Sequence, residues 1–312
     1  MTAVRKILFS ANGDNRCEAT KIQTDGLMTT AAGGQTTGTR IKIQIAIGGN
    51  LTYCDGRHSK TAGVLKMKKK IKDCLWLWGQ DAMSHQRSPG NMIWKLPDGN
   101  RLGPVEGAEY LGIPNIFRVV MCGSPCPPFD EESEKMKNVS RVVWSAIGDS
   151  GSKRNDHQTD LEEVLRQASL FPNITGAVLD DFFIRPQMRN GAWARLSVDD
   201  IRSMREKLHE AARKLDLYVV WYKRQLEDPI DEYLKEFDVI TYWNMQTPAE
   251  HDLLTHDLDR MIERTAGKRR MTGCYIWNYG AGRPLSVDEL KFECETFLRL
   301  LLENKTEGII FC

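Results

Sequence analysis

Along residues 74–311 short apolar runs alternate with longer amphipathic stretches, and this rhythm limits the fold more than any single motif does. The apolar runs fall at 74–78, 116–122, 141–147, 174–183, 217–222, 238–244, 271–278 and 308–311, and they read as buried strands. Between them the pattern predicts helices at 105–111, 129–138, 160–169, 198–214, 229–236, 248–265 and 287–302. Strict alternation implies parallel strands joined by right-handed crossovers, because a tight hairpin cannot reach a parallel neighbour. Eight such units in about 240 residues fit a closed barrel, which ordinarily takes about 250. An open doubly wound sheet would favour a glycine-rich phosphate turn after the first strand, where this chain has Trp78-Gly79-Gln80-Asp81. The expected fold class is α/β: a (β/α)8 TIM barrel over residues 73–312, behind a small N-terminal β-rich or irregular extension over residues 1–72.

Helix starts carry local signals. Thr159, Ser197, Thr247 and Ser286 are each followed three residues on by an acid, Glu162, Asp200, Glu250 and Glu289, the spacing of a capping box (with Asp200 a shorter variant). In the extension, Ile41, Ile43, Ile45 and Ile47 alternate with Lys42 and Gln44, the period of a half-buried strand, and no chemistry is assigned to it. The sequence stops on the eighth strand, so the layer is expected to be closed by residues 1–72 or by a helix beyond the sequence given.

Composition excludes several classes. Forty-three basic residues against 42 acidic ones leave a net charge of +1, without the concentrated basic surface that phosphate contacts require, so no nucleic-acid partner is expected. The basic run at 66–72 reads as a solvated helix face or linker. No stretch approaches the roughly 20 apolar residues of a membrane span. The first residues lack the apolar centre of a signal peptide, so a cytoplasmic protein is expected, or a secreted or periplasmic one if the native N-terminus differs. The eight cysteines are scattered, and Cys122 and Cys126 have no second pair nearby, so neither zinc nor any other metal or cofactor is expected.

In a barrel the active site lies at the C-terminal mouth, built from strand ends and the loops after them. The residues falling there are Gln80 and Asp81, Cys122, Ser145 and Asp149, Asp180 and Asp181, Trp221, Tyr222 and Lys223, Tyr242, Trp243 and Asn244, and Tyr275, Trp277, Asn278 and Tyr279. Rings, amides and carboxylates suit a sugar, whose apolar faces stack on rings while its hydroxyls bond polar groups. Neighbours on a strand point opposite ways, so half of these rings must instead fill the helix layer. For the same reason Asp180 and Asp181 cannot both face the mouth if the strand stays regular.

The alternation, with carboxylates ending the fourth strand and rings ending the fifth to seventh, resembles (β/α)8-barrel glycoside hydrolases. Thr175-Gly-Ala-Val-Leu-Asp-Asp-Phe182 partly resembles the fourth strand of chitinase-like family 18 enzymes, Asp-Gly-x-Asp-x-Asp-x-Glu, and Ile240-Thr-Tyr-Trp-Asn244 is similar to their sixth-strand Tyr-Asp/Asn element. Gly176 and Asp180 match, whereas Val178 replaces an acid and Phe182 stands where the catalytic Glu would be. The resemblance implies a barrel and a carbohydrate substrate, and its catalytic acid has no counterpart.

Glycosidic cleavage needs an acid with a raised pKa and a second carboxyl, about 5–5.5 Å away as a nucleophile or about 6.5–9.5 Å away as a base. Asp181 is the expected acid, its pKa raised by the flanking Phe182 and Phe183. Asp180 is expected to orient it or bond a sugar hydroxyl, with Asp149, Asp81 and Glu227, in that order, as the second carboxyl. Substrate contacts are expected from Asp81, Gln80, Trp221, Tyr222, Lys223, Tyr242, Asn244, Tyr275, Trp277 and Asn278. The rivals are a sugar isomerase or aldolase, for which Lys223 offers a Schiff-base amine, and a non-catalytic carbohydrate-binding barrel. Two further features read as loops: Gly280-Ala-Gly-Arg283 rather than a phosphate cradle, and Asp149, Asp156 and His157 rather than an ion site.

Overall fold

The computed structural model describes residues 42–44, 52–54, 70–84, 95–96, 101–188, 191–245 and 251–312. By its internal contacts the chain divides into two units, Met1–Lys70 and Ile71–Cys312. In the first, Lys42–Gln44 pairs antiparallel with Thr52–Cys54, setting Ile43 opposite Tyr53. Ile41, Ile45 and Ile47 of the alternating run, most of the basic cluster, and the capping pair Thr247 and Glu250 lie outside the described residues.

The second unit is the barrel. Its strands are β1 (Leu75–Gly79), β2 (Asn115–Arg118), β3 (Arg141–Ile147), β4 (Ile174–Leu179), β5 (Asp216–Tyr222), β6 (Val239–Trp243), β7 (Arg269–Cys274) and β8 (Gly308–Phe311). All pair in parallel in chain order, and β8 pairs with β1 to close the ring. The helices between them are α1 (Pro104–Leu111), α2 (Asp130–Lys135), α3 (Leu161–Leu170), α4 (Val198–Glu210), α5 (Asp231–Leu234), α6 (His251–Arg264) and α7 (Val287–Leu302). None of the described helices is long and apolar enough to cross a membrane.

Several strands are shorter than the apolar runs suggest, because the chain leaves the ladder to build the mouth. After β2, Met121 and Ser124 bridge across a turn with Cys122 at φ +51°. After β7, Trp277–Asn278 pairs with Arg283–Pro284 as a small hairpin. The capping signals also divide. Ser197 with Asp200 and Ser286 with Glu289 form complete reciprocal boxes. The expected box at Thr159 does not form: α3 starts at Leu161 behind Asp160, whose carboxylate is taken by Arg154 at 2.6 Å.

The barrel interior is filled by large rings set against small residues. Trp76 and Trp78, Phe117, Tyr218 and Trp243 join Val143, Val178, Val239, Met271 and Ile310 in one buried cluster. The Trp243 ring lies across its register neighbour Gly273, where an ideal Cβ would sit only 2.0 Å from it. Tyr218 and the Asp216 carbonyl crowd Gly176 in the same way. Burial of these rings supplies most of the driving force for closure.

Gly273→Ala would force the Trp243 ring out of its place. The expected cost is about 1–3 kcal/mol, read as a lower urea midpoint with an unchanged slope.

Candidate active site

The β4–β5 ladder ends at the pair Leu179 and Val219. Asp180 keeps one more bond to β3, its N–H donating to the Ile147 carbonyl at 3.0 Å. Asp181 then turns into the left-handed region at φ +42°. Asp is among the side chains that tolerate this region, at a cost of about 1–2 kcal/mol. The turn cancels the strand's alternation, so both acids reach the rim. Asp180 follows Val178 on the inward face and lies beside Tyr222, Tyr275 and Cys312. One oxygen of Asp181 accepts the Tyr222 hydroxyl at 2.8 Å and the other accepts the Ser150 N–H at 3.0 Å. The Asp181 N–H itself donates to Asp180 Oδ1 at 2.8 Å.

Electrostatics act strongly on Asp180. Burial holds the Asp180 carboxyl well above its ordinary pKa, the nearby charges of Asp181 and Asp149 push the same way, and the guanidinium of Arg195 opposes them. Burial also raises Tyr222, with Asp181 adding to it, and raises Tyr275 beside Cys312, Tyr279 and both acids. Tyr279 is raised by burial and by Cys312, and the Cys312 thiol is pushed up to about 12 by burial and by Asp180. The inner mouth is therefore lined with groups on which burial favours the protonated form.

The structure places the other expected residues unevenly. Asp149 fastens its loop, accepting from the Cys122 N–H at 2.8 Å, the Ser152 hydroxyl at 2.5 Å and the Gly151 N–H at 3.1 Å. Asp81 pairs with the buried Arg118 and accepts the Ser124 hydroxyl at 2.6 Å. Gln80 accepts from Ser84 at 3.1 Å, and Asn244 is buried just past β6. Tyr275 stands in the mouth, 4.9 Å from the rings of both Trp243 and Tyr279. Trp277 and Asn278 belong to the hairpin, where Asn278 Oδ1 accepts the Ala281 N–H at 2.9 Å.

Four expectations are corrected. Trp221 and Tyr242 do not face the rim: alternation turns them to the outer side, where Arg264 of α6 lies over the Trp221 ring at 5.4 Å and Tyr242 neighbours Asp257 and Arg260. Lys223 likewise points outward and pairs with Asp257 of α6 at 2.6 Å. Glu227, with its side chain 71% exposed, pairs with Arg260 and is no partner for the rim acids. Phe182 and Phe183 pack against Phe237 in the helix layer, and the acid whose pKa burial raises is Asp180.

Sequence reasoning missed Arg195, the Ser150 amide and Cys312. Arg195 is buried, donates to the Gly148 carbonyl at 2.8 Å and faces Asp156 at 3.5 Å. Its position follows from the bridge between Phe183 and Ala194, which folds a distant loop back under the acids. No local pattern marks such a contact. The Gly280–Arg283 stretch is the hairpin turn, with Arg283 held by Glu289 at 2.7 Å. Among the described residues no group of three His, Cys, Asp or Glu side chains is placed to hold a metal ion.

The fold and this rim define a (β/α)8-barrel protein with paired carboxyls at its mouth. No family model matches the chain, and no curated protein sequence matches it. Solved structures do. A candidate α-L-fucosidase from Bacteroides thetaiotaomicron VPI-5482 is 12% identical at a TM-score of 0.48, over 79% of this chain and 90% of that one. A GH18 chitinase from Cycas revoluta is 10% identical at 0.42, over 76% and 94%. A tryptophan synthase complex from Pyrococcus furiosus is 10% identical at 0.41, over 77% and 88%. At these identities the likeness concerns the barrel and gives no residue of this chain a role.

Folding makes Asp180 keep a proton that an unfolded chain releases above the ordinary value of 3.8, so stability falls as pH rises from there through the raised native value. Asp180→Asn keeps the acceptor for the Asp181 N–H and removes the titration. The variant is expected to melt above the wild type at pH 7.5, with the gap closing towards pH 4. Identical pH dependence in both proteins would mean that Asp180 ionises freely.

Proposed function

We propose that this chain is a carbohydrate-active barrel enzyme of glycoside hydrolase type, with Asp180 as the general acid and Asp181 as the second carboxyl. The observation that carries the reading is the contrast between two adjacent acids at one rim. Asp180 is buried and burial raises its pKa, and Asp181 accepts a hydrogen bond on each oxygen. Glycosidic cleavage asks for this division of labour. The Asp180 proton passes to the departing glycosidic oxygen as its bond to the anomeric carbon breaks. Asp181 attacks that carbon and water then cleaves the resulting ester, or Asp181 takes a proton from a water that attacks the carbon directly. Water supplies the hydroxyl of the new reducing end and the proton that restores the acid. The acid role falls to Asp180 rather than Asp181 because burial acts on Asp180.

A sugar isomerase is the second reading. Tyr222 and Tyr275 keep their protons and can polarise a carbonyl while Asp181 removes a carbon-bound proton. It predicts exchange of a substrate C–H with D2O and no glycoside cleavage. The Schiff-base route is disfavoured, since the Lys223 amine is paired with Asp257 away from the mouth.

A glycan panel with wild type, Asp180→Asn and Asp181→Asn tests the assignment. On natural glycosides Asp180→Asn is expected to lose about 10²–10⁴-fold in rate. On aryl glycosides with good leaving groups, which need no protonation, it recovers most of that loss, and Asp181→Asn does not. Equal losses of both variants on both substrate types would sink the assignment. No cleavage of any glycan by the wild type would sink the function.

A further inference from the structure

We propose that Gln225 is a positioning residue that holds Tyr222 against Asp181 and so fixes the second carboxyl at the rim. This rests on the glycosidase reading for its kinetic consequence but not for its geometry. The β4–β5 ladder stops at Leu179 and Val219, three residues before Tyr222. Beyond that point backbone bonds no longer set the distance between the segment carrying Asp181 and the one carrying Tyr222. The Gln225 side chain spans this gap. Its Oε1 accepts the Tyr222 N–H at 3.0 Å, and its Nε2 donates to the Phe183 carbonyl at 3.0 Å. One amide thus grips the backbone on both sides of the contact between the Tyr222 hydroxyl and Asp181 Oδ1, itself 2.8 Å long.

Gln225 is itself well fixed. It is 5% exposed and closes the short 3-10 turn Lys223–Gln225 after β5. Its carbonyl accepts the Trp221 indole N–H at 3.3 Å and the Asp228 N–H at 3.1 Å. A buried amide with both ends satisfied has one rotamer and one distance to impose, which a flexible surface side chain could not do. The outward turn of Trp221 gains a purpose here: its ring locks the turn that carries the brace. In this role Gln225 acts through Tyr222.

The test uses Gln225→Met, which keeps the volume and removes both bonds, together with Tyr222→Phe and the double variant. Crystal structures of wild type and Gln225→Met read the Tyr222–Asp181 distance directly, whatever the protein's activity. The expected result is a separation beyond hydrogen-bond reach, with kcat down roughly tenfold to a hundredfold and KM within twofold. The double variant is expected to be no slower than Tyr222→Phe alone, because the brace works only through that hydroxyl. Losses that simply add, or an intact contact with full kcat, would overturn the proposal. Should Gln225→Met fail to fold, Gln225→Glu loses only the donor to Phe183 and is read in the same two ways. If the wild type cleaves nothing, the glycosidase reading fails while the two crystal distances still decide the brace.

Discussion

Adjacent residues on a β-strand face opposite sides, and the tip of β4 carries two acids in a row. Everything distinctive about this mouth depends on how the chain escapes that constraint. It does so with a single left-handed residue, Asp181 at φ +42°, placed where the ladder to β5 has already ended. The acid's own N–H then turns back onto Asp180, and its carboxylate swings to meet Tyr222 and Ser150. A strained, non-glycine turn persists only when its surroundings over-determine it. Here three hydrogen bonds and the Gln225 amide do so.

The same arrangement concentrates unfavourable terms at one end of the molecule. Asp180 is buried beside two negative charges, and three tyrosines and a thiol crowd the same space. The barrel offsets them with well-matched packing: Trp243 and Tyr218 lie over glycines of neighbouring strands, and at the foot Arg269 joins Asp216 and Glu307 at 2.6 and 2.8 Å.

How much of this was legible in the sequence follows from how local each feature is. The strand–helix rhythm gave the barrel, because side-chain period and element length are local properties. The boxes at Ser197 and Ser286 were legible for the same reason, and the one at Thr159 failed because Arg154 competes for the neighbouring acid from another part of the loop. Alternation announced that half the rim rings must turn outward, yet not which half. Trp221 and Tyr242 took the outer side because Tyr222 and Trp243 face in. The identity of the buried acid was not legible at all. It depends on the backbone sign at Asp181 and on where Phe182 and Phe183 go, and both are set by contacts distant in sequence.

The loops beyond β2, β3, β4 and β5 are joined in one continuous chain of hydrogen bonds. It runs from the Cys122 amide through Asp149 and its neighbour Ser150 to Asp181, Tyr222 and Gln225. The opposite arc, Trp243, Tyr275 and Tyr279, meets ring against ring, and the Trp243 indole N–H also donates to the Thr241 hydroxyl at 2.9 Å. Among the described residues the entrance thus has one wall stitched by hydrogen bonds, which carries the acids, and one wall of packed rings. A substitution among the rings would leave in place the bonds that set the spacing of the two carboxyls.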